Sequence, residues 1–107
     1  MRLGTIVSGL NLIDDRETRR YRLLADGEIV GFVEYDAVGT ESILIKHTEV
    51  ETQHEGKGYG SELVRRVLDD ARSRGLTVIP ICPYALNYVR RHPEYRDVVR
   101  AELRGTL

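Results

Sequence analysis

The spacing of apolar residues changes partway along the chain, and the change separates a β-rich half from a helical one. From Arg20, the segment RYRLLADGEIVGFVEY sets two short β-rich runs on either side of Ala25-Asp26-Gly27. Asp-Gly between apolar runs signals a tight hairpin, because its turn requires positive φ at both central residues. The pattern predicts antiparallel pairing of residues 21–24 with 28–35. A second turn at Val38-Gly39-Thr40 leads into SILIKHTEV, where Ile43, Ile45, His47 and Glu49 alternate with Leu44, Lys46, Thr48 and Val50. The expected product is a three-stranded meander.

Beyond residue 60 the period lengthens. Leu63, Val64, Val67, Leu68 and Ala71 trace one face of a helix, and Glu62 with Arg66, Arg65 with Asp69, and Arg66 with Asp70 are spaced for i,i+4 charge pairs. Gly75 is placed to end this helix in a left-handed conformation. TVIPIC, residues 77–82, reads as a short buried strand whose Pro80 marks an irregular or unpaired edge. Pro83 suits the first position of another helix, over about 84–91, that stops near Pro93. The tail, 94–107, reads as a short helix or an irregular cap. Residues 1–18 open with a short apolar run, end in a polar turn, and either add an edge strand or stay loose.

Together these elements imply an α/β chain of the α+β type. Its mixed, mostly antiparallel sheet has a β-meander followed by helix, strand and helix, with a right-handed crossover between the last two strands. Ligands in such sheets favour the carboxyl ends of strands beside helix N-termini, here Val50 and Cys82.

Composition narrows the reading. The 107 residues are 41% apolar and 31% charged, which fits one domain over 1–107. With 16 Lys and Arg against 17 Asp and Glu, the charge balance favours neither nucleic acid nor an acidic membrane. A single cysteine, Cys82, excludes an internal disulfide and suggests a reducing, cytoplasmic setting. His47, His54 and His92 lack the paired short spacings of a metal cage, so no metal is expected. No signal peptide is expected, and no apolar stretch approaches the ~20 residues of a membrane span.

The helix is preceded by HTEVETQHEGKGYGSELV, with Gly56, Gly58 and Gly60 at alternate positions. Closely spaced glycines entering a helix turn several backbone N–H groups towards one point, where the helix dipole adds partial positive charge. That arrangement suits a phosphate or pyrophosphate; a flexible connection is the plainer alternative. A Walker loop is excluded because Gly56-Lys57 is followed by Gly58 rather than Ser or Thr. A Rossmann fingerprint is excluded by the spacing after Gly58.

Glu55-Gly56-Lys57-Gly58-Tyr59-Gly60, with Leu63 facing the core, resembles the loop signature of the GNAT superfamily of N-acetyltransferases: Gln or Arg, two residues, Gly, one residue, then Gly or Ala. HTEV, the loop, the helix and CPYALNYVRRHPEY together resemble the short GNAT members that lack the first helices, over about residues 19–99. Glu55 departs from the pattern by standing where Gln or Arg is usual, and a carboxylate there opposes a pyrophosphate unless it points away or is paired. An earlier register starting at Gln53 puts the helix stripe out of phase.

The resemblance implies acetyl-CoA as cofactor, with Glu55, Gly56, Lys57, Gly58, Tyr59, Gly60 and Ser61 at its pyrophosphate. It also implies splayed central strands, with the thioester arm against main chain near Glu49 and Val50. Arg90 and Arg91 are candidates for the CoA phosphates, although a solvated basic helix end explains them as well. Acetyl transfer to an amine needs a neutral amine, a polarised carbonyl and a proton for the departing thiolate. Cys82, before a helix N-terminus, is a candidate nucleophile or pocket wall, the alternative being plain packing. Tyr88 stands where many GNAT enzymes place their proton donor, with Tyr84 one turn earlier as second candidate. His47, with Glu49 beside it, is the candidate base, against a plainer reading as a hydrogen-bonded histidine and a solvated carboxylate. His54 reads as loop surface.

The function implied is an N-acetyltransferase acting on a protein lysine, a peptide or a small amine. The alternative is a non-catalytic acyl-CoA-binding module. Exposed sheet edges leave the oligomeric state open.

Overall fold

A computed structural model of the chain describes residues 9–107, so the apolar run at the start of the sequence lies outside the described residues. Five strands form one sheet in chain order: β1 (Leu10–Asp15), β2 (Arg20–Ala25), β3 (Glu28–Val38), β4 (Ser42–Val50) and β5 (Thr77–Pro80). The first four pair antiparallel, and β4 pairs β5 in parallel through the crossover helix α1 (Tyr59–Ser73). Helix α2 (Pro83–Arg91) follows, and two 3₁₀ turns, Pro93–Val98 and Ala101–Thr106, complete the chain. The mixed α+β sheet anticipated from the sequence is therefore present, with β1 as its edge strand.

Local chemistry sets these boundaries. Asp26 and Gly27 both adopt positive φ, +51° and +85°, as a tight hairpin turn demands. Gly75 ends α1 at φ +69°, its N–H donating to Arg72 O while Leu76 N–H donates to Ala71 O, a glycine-terminated helix end. The face of α1 carrying Leu63, Val64, Val67, Leu68 and Ala71 is buried against Tyr21, Leu23, Val33 and Ile45 of the sheet. Tyr21 and Tyr95 donate their hydroxyls to Asp70 and Asp69 of α1, at 2.7 and 2.8 Å. Two of the three expected helix pairs form, Glu62–Arg66 and Arg65–Asp69. The third does not: Asp70 is taken by Arg74 and Tyr21 instead of Arg66.

Strand β5 is shorter than the sequence suggests, ending at Pro80 rather than Cys82. Pro80 has no N–H for a ladder, and the Ile81 N–H turns back to Ile79 O. Cys82 N–H makes one last bond to Ile45 O, at 3.0 Å, and the chain then enters α2. Opposite this point β4 carries a bulge: Glu34 pairs His47 but Tyr35 pairs Ile45, leaving Lys46 as the extra residue. The parallel pairing thus stops just where β4 bends, and β4 runs on to Val50 with no strand on its β5 side.

Candidate functional site

The unpaired half of β4 leads directly into the glycine loop. Val50 lies opposite Gly31, Glu49 opposite Phe32, Thr48 opposite Val33 and His47 opposite Glu34. Glu51 N–H donates to Val30 O, so Glu51, Glu49 and His47 are the residues whose main chain faces β3. By the same alternation, the N–H and C=O of Thr48 and Val50 face the side that β5 has left. Of the two residues expected to offer main chain to a thioester arm, Val50 has its N–H and C=O free on that side, whereas the main chain of Glu49 is committed to β3.

The loop gives its three glycines different tasks. Gly56 and Gly58 have φ of +83° and +80°, a region costly for other residues. A Cβ on either would meet nothing within 4 Å, so what they offer is bare backbone facing open space. Gly60 instead makes room for a neighbour: a Cβ there would stand 2.6 Å from the Tyr84 hydroxyl. Gly58 caps α1, and the first helical bond is Glu62 N–H to Gly58 O, which leaves the N–H groups of Tyr59, Gly60 and Ser61 without helical partners. Glu62, in the first turn, is charged and ion-paired with Arg65 and Arg66. Burial pushes its carboxyl up, but hydrogen bonds from Arg66 and Arg65 outweigh this and hold it below the ordinary glutamate range.

A pocket of about 300 Å³ joins these features. Thr48 and Val50 form one wall, the loop from Glu55 to Gly60 another, and Tyr84 of α2 a third. Cys82 lies beyond Thr48, only 3% exposed, with Sγ 3.5 Å from Thr48 Oγ1. As N-cap of α2, Cys82 accepts the Leu86 N–H at its carbonyl, so the N-terminus of α2 opens close to that of α1. Ser61 Oγ lies 3.3 Å from the Tyr84 hydroxyl and links the two helix starts.

Several residues stand elsewhere than the sequence reading put them. Tyr84, the second candidate, lines the pocket together with Tyr59, whereas Tyr88 borders only the small hollow beside Ser61 and Tyr84. Tyr88 lies one turn further on, 8% exposed, stacked on His92 and near Tyr95, and burial raises its hydroxyl pKa. The i+4 step of a helix explains the exchange: it carries Tyr88 along the α2 axis, away from the loop. His47 and Glu49 pair with each other, Nε2 to Oε1 at 3.0 Å, on the opposite face of the sheet from Thr48 and Val50. Arg90 donates to Thr106 O and serves the chain end rather than the pocket, whereas Arg91 borders a small hollow beside Ser61 and Tyr84. Lys57 is exposed and does not line the pocket, while Glu55 does.

His54 is the residue that sequence reasoning missed. Its Nε2 meets Glu28 Oε2 at 3.1 Å, its ring stands edge-on to Tyr59, and its Nδ1 is buried without a partner. It lines the pocket rather than the loop surface. Its partner Glu28 lies far back in the sequence, so no local pattern could have revealed this.

A mixed sheet opened beside its fourth strand, with a glycine loop feeding a helix N-terminus at the opening, is the arrangement of an acetyltransferase of the GNAT class. A family model described as GCN5-related N-acetyl-transferase matches residues 20–98. The chain belongs to this family, one of acetyl-transferring enzymes. Among solved structures, a GCN5-like protein of Staphylococcus aureus is 24% identical and superposes with a TM-score of 0.65, over 87% of this chain and 90% of that one. N-acetylglutamate synthase from Neisseria gonorrhoeae, complexed with coenzyme A and L-arginine, is 19% identical with a TM-score of 0.54, over 86% of this chain and 23% of that one. A ribosomal-protein-alanine N-acetyltransferase from Brucella melitensis is 24% identical with a TM-score of 0.50, over 77% and 61% of the two chains. These likenesses show the fold. Comparison with curated proteins gives no match. Among the described residues, no helix is long and apolar enough to cross a membrane.

Proposed function

We propose that the chain transfers an acetyl group from acetyl-CoA to an amine. The observation that carries this reading is the continuity between the unpaired main chain of Thr48 and Val50 and the free N–H groups at the start of α1. A diphosphate fits the N–H groups of residues 59–61, where the helix dipole favours negative charge. Bare backbone at Gly56 and Gly58 lets it approach closely. The extended amide arm of the cofactor fits along β4, using the Thr48 and Val50 groups as an added strand would. Acetyl-CoA supplies the activated acetyl group as a thioester.

This chain's own residues then have the following roles. Thr48 and Cys82 close the inner end of the gap and keep water from the acetyl group. Cys82 acts as a wall rather than a nucleophile, because its sulfur is almost fully covered and held against the Thr48 hydroxyl. The Val50 N–H donates to the polarised carbonyl. The amine approaches from the sheet face opposite the helices, where the His47–Glu49 pair accepts its proton through the ring. As the C–N bond forms the thioester C–S bond breaks, and coenzyme A departs as a thiolate that takes its proton from solvent. Tyr84 holds the mouth of the loop, and Glu55, exposed and without an ion-pair partner among the described residues, turns outward when an anion binds. The acceptor is an amine of a protein, a peptide or a small molecule, and the half-exposed His47 and Glu49 side chains leave that approach open.

The test is a transfer assay with labelled acetyl-CoA and a panel of amines, run beside calorimetric titration of CoA. Binding should saturate and fall about 100-fold in Gly58→Asp, ~2.7 kcal/mol, because a carboxylate then faces the diphosphate. Transfer should persist in Cys82→Ala within about tenfold and drop at least 100-fold in His47→Ala, ~2.7 kcal/mol. Tight binding with no transfer to any amine would instead establish the acyl-CoA-binding module. An acetyl adduct trapped on Cys82 would replace direct attack by a covalent relay.

A further inference from the structure

The other end of β4 carries a second cavity, of about 280 Å³, between the β1–β2 turn, the β3–β4 turn and the end of α1. Three guanidiniums line it, those of Arg16, Arg19 and Arg74, and no carboxylate does. Its apolar surface comes from Ala37, Ile43 and Leu76. Thr40 adds a hydroxyl at the rim, while the buried Ser42 hydroxyl is bonded to Thr77 Oγ1.

Each arginine is ion-paired through one nitrogen only. Arg16 uses only Nε, towards Asp14, and Arg19 only Nη1, towards Asp36. Arg74 uses only Nη1, which reaches Asp14, Asp70 and the Tyr21 hydroxyl. Each guanidinium therefore keeps two nitrogens without a partner among the described residues. Lys46 shares Asp36 with Arg19, and the Glu41 carboxylate lies beside Gly39, so the charges around the cavity are close to balanced. The free N–H edges of the guanidiniums are suited to two-point binding of a carboxylate or phosphate.

The backbone supplies an independent observation. Arg19 has φ +56°, in the left-handed region that non-glycine residues seldom occupy. Its carbonyl accepts the Tyr35 N–H at 3.0 Å, which helps fix the turn. Glycine would satisfy this geometry with less strain, yet the position carries an arginine that lines the cavity. The left-handed turn residue thus places the Arg19 side chain at the cavity.

We propose that this cavity binds a small organic anion, an apolar body bearing one carboxylate or phosphate group, at a site separate from the glycine-loop pocket. The anion bridges the free edges of Arg16, Arg19 and Arg74, and its body lies against Ala37, Ile43 and Leu76.

The experiment is an amide NMR titration of the full chain with benzoate, phenyl phosphate and inorganic phosphate. Saturable shifts at Gly39, Thr40 and Ser42 with either aromatic probe are expected, and the stronger of the two identifies the head group. Ala37→Phe, which fills the cavity without altering charge, should abolish these shifts while leaving CoA titration unchanged. Arg19→Gly should weaken binding at least tenfold without lowering the melting temperature, an outcome that a purely structural arginine would not give. The proposal is overturned if neither aromatic probe saturates at low millimolar concentration. It is equally overturned if the shifts survive Ala37→Phe or Arg19→Gly undiminished, or fall at residues 56–61 instead.

Discussion

Between Ser42 and Ile45, strand β4 is paired on both sides and largely buried, whereas from Lys46 to Val50 it is paired only with β3 and mostly exposed. The two halves are continuous in sequence. What separates them is one extra residue, Lys46, and one missing N–H, at Pro80. A sheet ends where its next donor is absent, and a strand bends where its register slips. The fold therefore obtains a docking edge by stopping the neighbouring strand early, with no need for an additional element. The closed half supplies rigidity and the open half supplies unpaired main chain.

Deletion in the two halves should expose this difference most strongly. Ile45→Ala removes a side chain that is 1% exposed in the closed half, and should cost ~2–5 kcal/mol in urea unfolding. Val50→Ala in the open half should cost under ~1 kcal/mol yet raise the KM for acetyl-CoA. Equal losses of stability from the two would mean that the open half is as tightly packed as the closed one.

Alkaline titration should give a smaller effect, and one that starts from the closed side. Burial, reinforced by hydrogen bonds to Asp14 and Asp69, raises the hydroxyls of Tyr35 and Tyr95 from their ordinary value near 10 to about 12. Because the folded values are raised, the unfolded chain releases these protons first. Their stabilising contribution is whole below about pH 10 and is lost as pH rises towards 12. Circular dichroism across that range should show a declining melting temperature, and Tyr35→Phe should flatten the decline.

The smallest expected effect lies at the loop. In Gly60→Ala the new methyl must displace the Tyr84 ring from Ser61, weakening CoA binding by a few-fold. In a Tyr84→Ala background the same substitution should be silent, a coupling of about 0.5–1 kcal/mol in a double-mutant cycle. Additive losses would show that the two residues do not meet.

Much of this was legible in the sequence, and for identifiable reasons. The meander, the α1 stripe, the Asp-Gly turn and the Gly75 helix end each follow from short-range chemistry that a few adjacent residues carry. The glycine loop was legible as well, since positive φ and bare backbone are demands that glycine meets best. What escaped depends on pairs distant in sequence. His54 becomes part of the pocket wall while bonded to Glu28, and Asp70 exchanges a near neighbour for Tyr21. The choice between Tyr84 and Tyr88 turns on where α2 begins relative to Gly60, which periodicity does not specify. Simple alternation misplaces the outer half of β4, because the bulge at Lys46 turns His47 and Glu49 away from the core face that Ile43 and Ile45 occupy, and the early end of β5 was only hinted at by Pro80.

The short bridge between Val78 and Val99, with Arg100 N–H donating to Val78 O, bears on how copies of the chain can meet. The returning tail takes up pairing groups on the outer side of β5, and the Arg72–Asp97 ion pair fastens it there. A second chain seeking to extend the sheet would find that border already guarded. Among the described residues, Leu10–Asp15 is the outer strand of the sheet whose far side has no paired strand, the end at which strand addition would meet free pairing groups.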